Sequence, residues 1–196
     1  IEGTIRVLKN ICGMWLLERC RAEWPEMGYS ELIAAAESEQ PFRSLINPDA
    51  KCFANPESMT TAIVDYCKAT GQPVPENIGQ FVRCIFESLA LRYRQVVEIL
   101  QSMCDFPIKK LHVIGGGSQN RYLMQYAANA LNMPVICGPI EGTALGNVLM
   151  QIKATESSLD LKKMREISAA SVDLVTYLPS DTEAWKKEYE RFITLK

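Results

Sequence analysis

The chain has 196 residues, 47% apolar and 22% charged, and 21 Lys and Arg against 23 Asp and Glu leave a net charge of −2. That length suits one ordinary domain or two small ones, and folding can bury roughly 70% of the unfolded surface. The charge balance excludes a bulk electrostatic binder of nucleic acid, which is clearly basic. No uncharged apolar run reaches the ~18 residues of a membrane span.

The chain opens on Ile1, not Met, which predicts a start inside a longer protein. No charged-then-apolar leader opens the chain, so nothing in it argues for secretion, and buried free thiols in a reducing cytoplasm are expected. Residues 4–8 (Thr-Ile-Arg-Val-Leu) read as a short β run. From Asn10 the period turns helical, with Ile11, Met14 or Trp15, Leu17 and Cys20 at helical spacing. Ser30 is predicted to cap a second helix through about Glu37. Residues 39–55 read as irregular. Asn55, Pro56 and Glu57 read as N-cap, first helical position and first-turn acid of a third helix. That helix is predicted to run to about Ala69 and stop at Gly71.

The longest helix follows. Ile78, Val82, Ile85, Leu89, Tyr93, Val96 and Leu100 form one apolar stripe, with Asn77 and Gln80 as a capping pair. After Pro107 the period changes. Leu111, His112, Val113 and Ile114 read as a strand ended by Gly115, Gly116 and Gly117, with His112 expected to pack in the core. A helix over about 120–131 and a second strand over 134–137 come next. Glu141, Gly142 and Thr143 then lead into a helix through about Lys153. Strand, loop, helix, strand, loop and helix predict a parallel pair with crossover helices. A helix near 160–169, an edge strand over 174–177 and a tail helix carrying Trp185, Tyr189 and Phe192 complete the α/β reading. Trp15 and Trp24 are expected as core or interface anchors.

Seven Cys are too sparse for a disulfide scaffold, and an odd number cannot all pair internally. No CxxC pair occurs and His112 is the sole His, so no metal site is expected. Cys67 and Cys84 flank a turn-like stretch at 71–75 and are expected to be near neighbours, with their bonding open.

The stretch from Leu111 to Asn120 carries the most chemistry. A strand running into three glycines and then a helix can cradle a phosphate. Glycine lets a backbone approach a ligand closely, and a helix start offers unpaired N–H groups to an anion. The dinucleotide fingerprint fails because Asn120 holds the place of its last Gly, and no Gly-Lys-Ser/Thr phosphate loop exists. Gln119 and Asn120 add amides suited to a ribose or phosphate, or to capping. The second loop, 138–147, follows the neighbouring strand and is expected at the same strand ends. Gly142, Ala144 and Gly146 would let a helix approach a flat base, or another helix.

Val113-Ile114-Gly115-Gly116-Gly117-Ser118-Gln119-Asn120, Met133-Pro134-Val135 and the 138–147 loop together resemble the C-terminal domain of the FGGY carbohydrate kinases. The run from Arg6 to Glu18, Ile46-Asn47-Pro48, Phe53-Ala54-Asn55-Pro56 and the run from Arg83 to Ala90 extend the likeness over essentially the whole chain. Within the family it points to the branch acting on L-rhamnulose.

The resemblance implies a ribonuclease-H-like, actin-like ATPase C-terminal lobe, helix-rich and lacking its first strands. Residues 1–196 would form a single truncated domain. It implies ATP and Mg²⁺ as cofactors, with Gly115, Gly116 and Gly117 along the phosphates and ribose and Gln119 and Asn120 beside them. Asn10 would contact the sugar. Position 18 would lie near the nucleotide, where relatives can carry Gln; Glu18 has no amide to donate and would repel phosphates. The implied reaction is phosphoryl transfer from ATP to the 1-hydroxyl of L-rhamnulose, with the N-terminal lobe of the same parent chain as partner. The family's general-base Asp lies in a Gly-His-Asp segment, which does not occur here. No catalytic residue is therefore assigned, and the fragment is expected to be inactive alone. Rival readings are a kinase of fuculose, xylulose or glycerol, a non-catalytic actin-like scaffold, and a plain structural α/β domain. Missing strands also predict an exposed sheet edge, able to recruit a second chain.

Overall fold

The computed structural model describes residues 7–156 and 158–195. In chain order the elements are helix α1 (Trp15–Arg21), α2 (Tyr29–Glu37), α3 (Met59–Ala69), α4 (Ile78–Gln101), strand β1 (Leu111–Val113), α5 (Arg121–Leu131), β2 (Val135–Cys137), α6 (Gly142–Thr155), α7 (Leu161–Ala170), β3 (Val175–Tyr177) and α8 (Thr182–Phe192). Among the described residues the sheet has the order β1-β2-β3. β1 and β2 are parallel, with Leu111 opposite Val135 and Val113 opposite Cys137. β3 returns antiparallel on the far edge of β2.

Helix α4 organises the rest. Its predicted stripe is the buried one: Val82, Ile85, Leu89 and Val96 face inward, and the Asn77 side chain caps the helix by accepting from the Gln80 amide. α1, α2, α3 and α5 pack against it around Leu16, Leu17, Leu32, Met59, Ile63, Phe86, Leu123 and Ala127. A second cluster seats α8 through Trp185, Tyr189 and Phe192 against Leu45, Ala90, Leu91 and Ala130. At the start of α4, Gly79 lies so close to α2 that an added Cβ would stand 2.5 Å from the Ala35 carbonyl oxygen.

Several boundaries differ from the sequence expectations. Residues 4–6 of the first predicted strand lie outside the described residues, and Val7 and Leu8 are exposed and in no strand. α1 starts at Trp15, five residues after Asn10. Residues 7–13 instead lie in no helix or strand and are tied at Cys12, whose amide donates to the Asp49 carboxylate at 2.8 Å. α2 is capped by Gly28, not Ser30, and the Glu31 carboxylate reaches back to the Gly28 N–H at 2.8 Å. α3 starts at Met59 behind Ser58, which accepts from the Thr61 amide, so Asn55 and Pro56 lie outside the helix. Glu23 explains the shift: its carboxylate accepts from the Met59 amide at 2.9 Å and from the Thr60 hydroxyl at 2.5 Å, which fixes the helix start there. Hydrogen bonds to Thr60, Ser58 and Met59 outweigh partial burial and lower the Glu23 carboxyl below its ordinary range.

His112 is exposed, against the expectation of a core position. It stands on β1, an edge strand among the described residues, between the half-buried Leu111 and Val113, whose side chains point to the opposite face. Trp24 packs against Phe81 at 5.8 Å, whereas Trp15 is half-exposed with Arg19 over its ring. Cys67 and Cys84 are neighbouring buried free thiols. The hydrogen bond with Cys67 and burial hold the Cys84 thiol well above its ordinary value. No described helix is long and apolar enough to cross a membrane.

Candidate functional site

The glycine turn is shaped by its first residue. Gly115 sits at φ 87°, a backbone region that side chains disfavour. Its amide donates to the Pro139 carbonyl at 3.0 Å, and the Gly138 amide donates to the Val113 carbonyl at 2.8 Å, so the two loops leave the sheet side by side. The Gly115 carbonyl accepts from the Ser118 amide at 3.0 Å and the Ser118 hydroxyl at 2.7 Å. This curls Gly116–Gln119 into one 3₁₀ turn, which the sequence reading did not foresee. Asn120 then caps α5 by accepting from the Leu123 amide at 3.1 Å.

Beside the turn lies a cavity of about 440 Å³. Gly116, Gly117, Gln119 and Asn120 line one side, and Met14, Tyr29 and Ile33 the other. The amides of Gly116 and Gly117 have no hydrogen-bond partner among the described residues. A Cβ on either glycine would meet nothing within 4 Å, so packing inside the chain does not require glycine at these positions. Two unpaired backbone donors and an apolar wall lining one cavity suit a ligand with an anionic group at one end and a flat apolar body at the other.

Of the residues singled out from sequence, four meet at this cavity: Gly116, Gly117, Gln119 and Asn120. Gly115 builds the turn behind them. Asn120 spends its side-chain oxygen on the helix cap and directs its amide nitrogen at the Met14 sulfur, 4.0 Å away. Glu18 does not line the cavity; its carboxylate pairs with Arg21 at 3.1 Å. Asn10 is exposed and also outside the lining. Its segment nevertheless runs past the glycine turn, because Met14 and Gly117 also border an adjoining apolar cavity of about 710 Å³ that Val7, Leu8 and Ile11 help to form. The 138–147 loop lines neither cavity. Gly138 and Gly142 leave room for Ile114, whose side-chain carbons stand 3.3 and 3.2 Å from where their Cβ atoms would be, so these small residues serve packing.

The wall residues Met14, Tyr29 and Ile33, and the anchoring Asp49, were missed as site residues from sequence. Tyr29 lines the cavity; its signal was the i, i+3, i+4, i+7 stripe it forms with Leu32, Ile33 and Ala36, of which Leu32 and Ala36 are buried and Tyr29 and Ile33 reach the cavity. Asp49 holds the Cys12 amide and pairs with Arg92 of α4 at 2.7 Å, which ties the Asn10 segment to the core. Burial, and next the Asp49 carboxylate, push the Cys12 thiol up. Among the described residues no cluster of three or more His, Cys, Asp or Glu could hold a metal ion.

Fold and family agree: the chain belongs to the FGGY family of carbohydrate kinases, and residues 1–155 match its C-terminal domain. It is 58% identical to the rhamnulokinase of Bacteroides thetaiotaomicron over 98% of this chain and 40% of that one. It is 44% identical to the rhamnulokinase of Pectobacterium carotovorum over its full length and 39% of the relative. The chain thus spans about 40% of the length of these relatives. In fold it resembles the crystal structure of xylulose kinase from Rhodospirillum rubrum, with a TM-score of 0.66 and 19% identity over 92% of this chain and 36% of that one.

Proposed function

We propose that this chain supplies the ATP-binding half of a sugar kinase, and that the whole protein transfers the γ-phosphoryl group of ATP to the 1-hydroxyl of L-rhamnulose. The observation that carries the reading is the pair of unpartnered amides at Gly116 and Gly117, on a turn with open space at both Cβ positions. The names of the two relatives support the sugar. In such a transfer the bond from the γ-phosphorus to the bridging oxygen breaks, and a bond to the sugar O1 forms. Catalysis consists largely of positioning and charge stabilisation. The glycine amides donate to phosphate oxygens, and the wall of Met14, Tyr29 and Ile33 excludes water from the other end of the nucleotide. Asn10, on the segment tied down by Asp49, reaches toward the sugar. The hydroxyl proton passes to a base outside this chain, in the N-terminal lobe of the same protein. Mg²⁺ would neutralise phosphate charge there, and no residue here is assigned to it.

The test is calorimetric titration of the whole protein with ATP, unaltered and as Gly116→Val. Open space at the Cβ leaves the fold intact, so unfolding without nucleotide should be unchanged. The added side chain projects where the phosphates would lie, and affinity should fall by about tenfold or more, the loss of one or two charge-assisted hydrogen bonds. Equal affinity in the two proteins would overturn the assignment of the turn.

A further inference from the structure

The carboxylate of Glu18 would repel phosphates if it stood free, yet it is not free. Arg21, one turn along α1, takes it at 3.1 Å. The same guanidinium lies over the Tyr29 ring, 4.2 Å from its centroid. Arg21 Nε is buried without a hydrogen-bond partner among the described residues, so Glu18 and the ring face are what hold the group. Tyr29 in turn lines the cavity across from Gly116 and Gly117, with 39% of its surface exposed. Three side chains from two helices are thus in contact in series: the Glu18 carboxylate on the Arg21 guanidinium, and the guanidinium on the Tyr29 ring.

We propose that Glu18, Arg21 and Tyr29 form a stacked clamp that presents the Tyr29 ring to the cavity as the platform for the flat base of a bound nucleotide. The inference rests on the nucleotide reading of the cavity and adds the residues that grip the base. A guanidinium on an aromatic ring is held by its charge and its planar shape together. Pairing with Glu18 fixes its orientation, which limits the ring's freedom before the ligand arrives and lowers the entropic cost of binding. Glu18 acts here as a positioning residue through Arg21, and its charge is matched before it can act on the phosphates.

Binding of ATP and of inorganic tripolyphosphate, which has no base, separates the two ideas. Both are titrated into the whole protein, unaltered and as Tyr29→Ala, Tyr29→Phe and Arg21→Gln. Tyr29→Ala should weaken ATP by about 5- to 100-fold, the range for loss of one stacked base, and leave tripolyphosphate unchanged. Tyr29→Phe should keep ATP affinity, since the ring is retained. Arg21→Gln should weaken ATP by a smaller factor and add little to Tyr29→Ala, because the two residues act as one unit. Unchanged ATP affinity in Tyr29→Ala overturns the clamp and leaves the nucleotide reading standing. Equal weakening of ATP and tripolyphosphate also overturns it, because the ring then serves the turn or the fold. An unaltered protein that binds neither compound overturns the nucleotide reading, and the clamp with it.

Discussion

Glu87→Ala should destabilise the protein by about 3 to 5 kcal/mol, the cost of stranding one partner of a buried ion pair. Glu87 is 1% exposed on α4, and its carboxylate accepts from Arg83 Nε at 2.8 Å and from the Phe42 amide at 2.8 Å. Arg83 also donates to the carbonyls of Ala36 and Glu39 and so closes the C-terminal end of α2. Phe42 sits at φ 55°, sets its ring edge-on to Trp185 at 4.8 Å, and accepts from Arg191 at 2.7 Å. One carboxylate therefore joins α2, α4 and α8. Denaturant unfolding measures the loss.

The same residue gives a pH dependence of defined sign. Burial pushes the Glu87 carboxyl up to about 7, against the lowering pull of Arg83. The ordinary value is 4.5. A raised acid stabilises the fold fully below the ordinary value and loses that contribution as pH rises through the folded value. Stability should fall by on the order of 3 kcal/mol from this group between about pH 4.5 and 7. Glu87→Gln, which cannot titrate, should flatten that part of the profile. A profile of equal slope in the variant would assign the dependence to other groups.

Gly79→Ala is the second large effect. Alanine is the better helix former by about 1 kcal/mol, so helix propensity alone predicts a gain. Packing reverses the sign. The new Cβ would stand 2.5 Å from the Ala35 oxygen and 2.8 Å from its carbonyl carbon, and backbone cannot swing aside as a side chain can. A net loss of about 2 to 3 kcal/mol is expected, at the upper end of overpacking. Because α2 carries Tyr29 and Ile33, the displacement should also reach the cavity wall and weaken nucleotide. Gly146→Ala is the control: it lies in α6 with nothing within 4 Å of the added atom, and it should stabilise by about 0.5 to 1 kcal/mol.

Periodicity alone located the long helix α4, the tail helix α8 and both strands of the parallel pair, because each has a continuous apolar stripe or a short apolar run bounded by Gly or Pro. Helix starts were less legible where a distant side chain decides them. Ser30 and Asn55 are sound caps by residue type, but Glu31 secures Gly28, and Glu23, 36 residues upstream of Met59, secures the start of α3. His112 followed the apolar company of its strand in sequence, whereas its exposure is set by alternation: Leu111 and Val113 take the half-buried face and His112 the other. The glycine turn was legible as a cradle. Its opposite wall was not, since Met14 caps α1 and Tyr29 and Ile33 lie on α2, all roughly 80 to 100 residues earlier, and only folding brings them across from Gly116.

The most direct test is ADP release by the whole protein with L-rhamnulose, L-fuculose, D-xylulose or glycerol as acceptor, run in parallel on Gly116→Val. The account predicts clear preference for L-rhamnulose and a marked loss in the variant, carried by a raised KM for ATP. Turnover that survives Gly116→Val undiminished, or no turnover with any of the four acceptors, would contradict it.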